Sequence, residues 1–196
     1  FKEHKEYKIV HSHLDCLSAY PLKVAKKNGV PVRIAHSHNT SQEKNLKYLI
    51  KDYSKKQIPK YATHLFACGK EAGKWMFGKH KFQIMNNAID AKKFIYNEEV
   101  RKQKRVELGV EDKFVIGHVG RFNLQKNHEF LVKRFADFAK TNEDAVLVLI
   151  GNGELQEKIK EMAKEYGIET KVKFLGLRED IPQLLQAMDL FLFPSL

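Results

Sequence analysis

Eight short runs of β-branched and aliphatic residues punctuate the chain: YKIVHS, PVRIAHS, THLFAC and FQIMNN, then FVIGHVG, AVLVLIG, VKFLG and DLFLFPS. Between them apolar positions recur every three to four residues and predict helices over 15–28, 41–57, 70–77, 127–140, 153–166 and 181–187. Strands alternating with helices predict an α/β fold with parallel sheets covered on both faces. The unbroken apolarity of AVLVLI marks a central strand. In such sheets ligands bind outside the carboxyl ends of the strands, so the residues after each run are the candidates for chemistry.

After FQIMNN the pattern lapses. AIDAKKFIYNEE carries no strand alternation, and the charged stretch EEVRKQKRVEL beyond it reads as a helix stopped by Gly109. The charge balance changes at the same place: residues 1–98 hold 19 Lys and Arg against 8 Asp and Glu, and residues 99–196 hold 16 of each. The whole net charge of +11 therefore lies in the first half. These shifts predict two α/β domains, 1–90 and 91–196.

Composition narrows the classes. No apolar run approaches the roughly 20 residues that cross a bilayer, and FKEHKEYKIV lacks the apolar core of a signal peptide, so a cytoplasmic location is expected. Cys16 and Cys68 sit at neither metal nor redox spacing and read as small buried thiols. The positive charge would suit a nucleic-acid-binding module, but no aromatic interleaving on a strand platform accompanies it. It concentrates in residues 41–60, where Lys44, Lys47, Lys51, Lys55, Lys56 and Lys60 alternate with Leu46, Tyr48, Leu49, Ile50 and Tyr53. On a helix this is a basic amphipathic face, fit for an anionic membrane surface or for water alone.

Four strand ends are chemically unusual. In HVGRFNLQKN, Gly120 releases the strand, and Arg121 and Lys126 bring two positive charges to the start of the 127–140 helix, whose N-terminal amides favour an anion. That combination suits a diphosphate, although the spacing is not the GxxxxGK[ST] loop and fits surface charges equally well. Gly151-Asn152-Gly153 lacks the third glycine of a dinucleotide fingerprint and reads as a tight strand-to-helix turn. In FLGLREDIPQLL, Gly176 ends a strand and Asp180 is placed to cap the next helix. The two HSH repeats put His11 and His13 on one strand face and His36 and His38 on another. Four histidines so placed could assemble a metal site; no carboxylate pair joins them, and no metal is expected.

Six blocks in order, KIVHSH, GVPVRIAHSHN, NNAIDAKKF, IGHVGRFNLQKNHEFLV, LVLIGNGEL and VKFLGLREDIPQLLQAMDLFLFPS, resemble the retaining glycosyltransferases of family 4. The resemblance implies the GT-B fold: an acceptor-side Rossmann-like domain over 1–90 and a nucleotide-sugar-binding one over 91–196. It implies transfer of a hexose from a nucleotide-diphosphate sugar, with the anomeric configuration retained and no metal cofactor. It assigns the donor diphosphate to Arg121 and Lys126, beside Gly120, and the nucleobase to Leu177, Arg178, Asp180 and Ile181, mainly through backbone. His36 matches the histidine near the donor sugar and is the candidate catalytic residue. His13, His38, Asn39, Gly151 and Asn152 become candidate substrate contacts.

The implied acceptor is a glycan or a lipid-linked sugar of polysaccharide or capsule assembly, with residues 41–60 on the inner membrane face as a peripheral contact. Two departures accompany the match. Ala88 stands where the family commonly has glycine, and the family's two glutamates, spaced eight apart, would begin just past Leu196. The first strands of the amino-terminal domain also have no counterpart, so an internal piece of a longer enzyme, inactive alone, is expected. A non-hydrolysing sugar-nucleotide epimerase of the same fold is the alternative reading, and a basic nucleic-acid-binding module is the second.

Overall fold

Both halves of the chain build parallel sheets faced by helices. The computed structural model describes Phe1, residues 3–42 and residues 48–196, and the polypeptide divides into two units, Phe1–Ile89 and Asp90–Leu196.

In the first unit β1 (Ile9–Ser12), β2 (Val32–Ser37), β3 (His64–Ala67) and β4 (Gln83–Ile84) pair in parallel in that order. The crossovers hold α1 (Ala19–Lys27), α2 (Tyr48–Tyr61) and α3 (Lys70–Phe77). Leu22, Ile58, Met76 and Phe77 from these helices close over Ala35 and Ala67, whose small side chains let the helices approach the sheet.

Two helices differ from the sequence pattern. The predicted 15–28 helix opens as a 3-10 turn, Asp15–Ser18, tied down where Ser54 Oγ donates to the Cys16 carbonyl at 2.6 Å and Ser12 Oγ meets Ser18 Oγ at 3.0 Å. In the predicted 41–57 helix, residues 43–47 lie outside the described residues, and α2 continues through Pro59 to Tyr61. Burial of Ile58 holds the helix across the proline, and cations take its terminal carbonyls: Lys26 Nζ donates to Lys60 O at 2.9 Å and Arg33 Nε to Tyr61 O at 2.7 Å.

In the second unit β5 (Phe114–Val119), β6 (Ala145–Ile150), β7 (Val172–Phe174) and β8 (Leu190–Phe191) form a parallel sheet in the order β7-β6-β5-β8. Its helices are α4 (Glu98–Leu108), α5 (His128–Ala139), α6 (Gln156–Glu165) and α7 (Ile181–Gln186). Every residue of β6 is buried, and alternation divides them between two cores. Leu147 and Leu149 pack with Leu131, Phe135 and Ile159; Val146, Val148 and Ile150 pack with Leu108, Val110 and Leu184. Gly109 ends α4 in the left-handed conformation (φ 60°).

Although α4 is mostly charged, it is anchored by two arginines. The Arg105 guanidinium donates to Ala187 O at 2.9 Å, to Asp189 Oδ2 at 3.1 Å and to the carbonyls of Glu111 and Lys113. Arg101 reaches Asp189 Oδ1 at 2.5 Å, and the Val115 amide donates to Asp189 Oδ2 at 2.7 Å. One carboxylate thereby ties α4 to the entry of β5 and the start of β8. Among the described residues no helix is long and apolar enough to cross a membrane.

Candidate functional site

Three strand-end loops of the second unit are laced together by their backbones. After β5, the Gly120 amide donates to Ile150 O at 2.9 Å and the Phe122 amide to Asn152 O at 3.0 Å. After β6, the Gly151 amide donates to Gly176 O at 2.8 Å and the Leu155 amide to Phe122 O at 3.0 Å. This close approach is what the glycines permit. A side chain on Gly151, at φ 137°, would run into the Gly120 carbonyl oxygen, and one on Gly153 into the Phe122 backbone. The glycines of GNG therefore serve the neighbouring loop rather than a turn of their own.

The laced loops enclose a cleft of about 600 Å³ at the carboxyl ends of β5, β6 and β7. It brings together Gly120, Arg121, Gly151, Asn152, Leu177, Arg178 and Ile181, all singled out by sequence. Leu177, 78% exposed, offers an apolar surface at the rim. Arg121 is exposed and pairs with Glu154, its Nε and Nη2 lying 3.2 and 3.1 Å from Oε2.

Two expected members are not in the lining. Lys126 lies in a 3-10 turn, Leu124–Lys126, ahead of α5; its stem passes Gly120 and its ammonium rests 4.6 Å above the Phe193 ring. Asp180 precedes α7 without capping it. Its carboxylate instead takes Arg178, at 2.7 Å from both Nε and Nη2, and Lys104 at 2.6 Å. The Arg178 guanidinium and the Lys104 ammonium hold that carboxyl well below the usual carboxylate range. Arg178 also meets Glu107 at 2.8 Å, so its charge is satisfied within the protein.

Beneath Gly120 lie two residues the sequence reading missed, His118 (0% exposed) and His128 (1%). His118 Nδ1 donates to Leu192 O at 2.8 Å, which leaves Nε2 unprotonated under Gly120. His128 stacks on Phe122 at 4.1 Å between centroids and meets His118 edge-on at 4.8 Å. The available signal was a histidine inside an otherwise apolar strand and another opening an apolar helix face.

Burial, then the charges of His118 and Lys126, push His128 from its ordinary 6.5 down to about 4, and burial lowers His118 as well. Both rings are thus neutral in the fold, and protonating them opposes it. Their contribution is fully present above pH 6.5 and declines as pH falls below it; for His128 the loss reaches about 3 kcal/mol near pH 4. Thermal melts between pH 7.5 and 4.5 are expected to show this acid limb, and His128→Phe, which keeps the stacked ring and removes the proton site, to flatten it. A melting temperature equally pH-dependent in wild type and variant would remove His128 as the cause.

In the first unit the sequence-selected histidines converge at the carboxyl ends of β1 and β2. His11 Nε2 lies 3.3 Å from His36 Nδ1, and His13 Nδ1 lies 2.8 Å from His38 Nε2. Ser12 and Ser37 point to the opposite face and bond to Ser18 Oγ and Ala72 O. His36 is buried and His11 exposed; desolvation first, then the neighbouring rings' charges, push both below their ordinary value. Asn39 Nδ2 donates to Asp15 Oδ2 beside the cluster. Cys16 is buried and Cys68 half-buried, both as free thiols.

The sequence profile of the glycosyl transferases group 1 family matches residues 99–196. Over its whole length the chain is 35% identical to EpsF of Bacillus subtilis (strain 168), described as a glycosyltransferase, and spans 53% of that protein. An Escherichia coli enzyme, UDP-Gal:alpha-D-GlcNAc-diphosphoundecaprenol alpha-1,3-galactosyltransferase, is 27% identical over 98% of this chain and 53% of its own. The chain thus spans about half the length of these curated relatives. Its fold matches the crystal structure of Anabaena Alr3699/HepE in complex with UDP and glucose, with a TM-score of 0.84 and 22% identity over 98% of this chain and 54% of that one.

Proposed function

Since this chain belongs to the glycosyl transferases group 1 family and has the GT-B fold, we propose that the protein moves a hexose from a nucleotide-diphosphate sugar to a lipid-linked or polysaccharide acceptor, with retention of configuration as in family 4. The observation that carries this reading is the laced cleft of the second unit, where Gly120, Arg121, Gly151, Asn152, Leu177, Arg178 and Ile181 meet outside the carboxyl ends of parallel strands. Residues 1–90 form the acceptor-side domain in this reading, and 91–196 the nucleotide-sugar-binding domain.

The diphosphate rests on the turn after β5. Arg121 leaves Glu154 to meet it, at little cost because an exposed ion pair is worth at most about 1 kcal/mol. Lys126 turns from Phe193 to join it. Charge that grows on the leaving diphosphate during transfer is stabilised by these two cations once they have turned to it. The nucleobase lies against the Gly176–Ile181 backbone and the exposed Leu177 side chain, while Arg178 and Asp180 brace each other. His36 orients a sugar hydroxyl or the reacting centre, with His13, His38 and Asn39 as further substrate contacts. Transfer of this kind is proposed to need no metal cofactor.

The substrates named for the E. coli relative, a UDP-sugar and a diphosphoundecaprenol-linked sugar, support a lipid-linked acceptor for this chain too. So does α2, where Leu49, Ile50 and Tyr53 are exposed beside Lys56 and Lys60. A cytoplasmic protein binding peripherally to an anionic inner membrane face through residues 41–60 fits that pattern.

The test is to incubate the protein in its full length with UDP-, GDP- and ADP-hexoses, with and without a polyprenyl-diphosphate sugar in anionic vesicles. A glycosylated lipid bearing the donor's anomeric configuration is expected. Conversion of a sugar nucleotide to its epimer without acceptor would favour the epimerase instead. Full activity with no sedimentation onto anionic vesicles at low salt would remove the membrane contact and leave the transfer reading intact.

A further inference from the structure

We propose that His11, His13 and His36 form a binding site for a borderline divalent transition-metal ion, best matched by Zn2+, with His38 as the residue that positions His13. The site stands on the first unit's own geometry and goes beyond the transferase reading.

Parallel pairing sets the histidines side by side. His11 is level with Ile34 and Ser12 with Ala35, so one step on, in the same register, His13 falls level with His36. Each of the three offers one ring nitrogen, and those nitrogens lie within 4.8 Å of one another. The 3.3 Å between His11 Nε2 and His36 Nδ1 already equals the edge of a tetrahedron around an ion at about 2.0–2.1 Å from each nitrogen. The third nitrogen lies within 4.8 Å of the others, and His13, being exposed, has room to turn toward them.

The surroundings favour an ion over three rings bonding among themselves. His13 is held from behind through its Nδ1 by His38, the arrangement that orients a metal-binding imidazole and turns its other nitrogen forward. Phe66 stands edge-on to His11 and His36, at 6.0 and 6.1 Å between centroids, and gives the cluster a dry floor. The exposed side leaves a fourth position for water. An all-imidazole set suits Zn2+, Ni2+ or Cu2+ and discriminates against Mg2+ and Ca2+, which take oxygen. Where the transferase reading also holds, His36 serves both tasks, and the ion competes with transfer rather than assisting it.

The test is titration of the full-length protein, stripped with chelator and dialysed, with ZnCl2 by calorimetry and with CoCl2 by visible absorption. One ion per chain with micromolar or tighter affinity is expected, with the visible band of four- or five-coordinate Co2+ and no response to MgCl2. His11→Ala and His13→Ala, at exposed positions where the fold tolerates change, should each weaken binding at least roughly 100-fold, and His38→Ala about 10-fold. His80→Ala, distant in sequence and outside the cluster, should leave it unchanged, and circular dichroism should be the same in all four variants. Absence of saturable binding would overturn the proposal. So would binding that survives both His11→Ala and His13→Ala, or binding that His80→Ala weakens as much. None of these outcomes depends on activity, so failure here is separable from failure of the transferase reading.

Discussion

Replacing Arg105 with alanine is expected to destabilise the second unit by about 3 kcal/mol at neutral pH. Arg105 is 8% exposed, and its guanidinium is spread over three carbonyls and a carboxylate. Removing it leaves the carbonyls of Ala187, Glu111 and Lys113 short of a buried donor. It also takes one of the charged partners from Asp189, which keeps Arg101 and the Val115 amide. Burial alone would raise the Asp189 carboxyl; the Val115 amide and the two arginines more than offset that and hold it below its ordinary value. Loss of one arginine moves this balance back. A fall in melting temperature of roughly 10 °C is the readout. Lys102→Ala, an exposed neighbour paired to Glu98 and Glu99 on its own helix, should change stability by no more than about 0.5 kcal/mol. Equal melting of both variants would show that Arg105 is not the anchor of α4.

The largest expected effect on activity is at Arg121. Arg121→Ala in the full-length protein should lower kcat/KM for the sugar donor by at least about 30-fold, or about 2 kcal/mol of transition-state stabilisation. Stability should hardly change, because the side chain is exposed and its ion pair with Glu154 is a surface one. That combination separates a role in the reaction from one in folding. Arg121→Lys should recover only part of the loss, since an ammonium cannot reproduce the two-pronged contact of a guanidinium with a phosphate. Glu154→Gln removes the competing carboxylate and should leave turnover at or above wild type. Near-normal turnover in Arg121→Ala would take this residue out of the donor site.

Much of this architecture is legible in the sequence because it depends on local periodicity. Six consecutive apolar residues make β6 a strand buried on both faces, and its alternation explains why two helix layers are needed to cover it. Gly109 marks the end of α4 by its position after the last charged turn. What escapes the sequence is set by contacts between distant residues. Arg105 and Asp189 are 84 residues apart, and nothing in EEVRKQKRVEL tells a buried arginine from the other charged residues around it. Asp180 has the local pattern of a helix cap, but Arg178 and Lys104 offer its carboxylate stronger, charged partners. Lys126 stands at the expected place in sequence, yet in this structure Phe193, 67 residues on, holds its ammonium. The lacing of the loops at Gly120, Gly151 and Gly176 is a set of backbone bonds across three strand ends, invisible to any window along the chain.

The claim that the laced cleft takes a nucleoside diphosphate is tested most directly by calorimetric titration of the full-length protein with UDP, GDP and ADP. At least one of the three is predicted to bind saturably, with Arg121→Ala weakening it by roughly ten-fold or more at unchanged stability. Failure of all three to bind, or binding that Arg121→Ala leaves unaltered, would contradict the account.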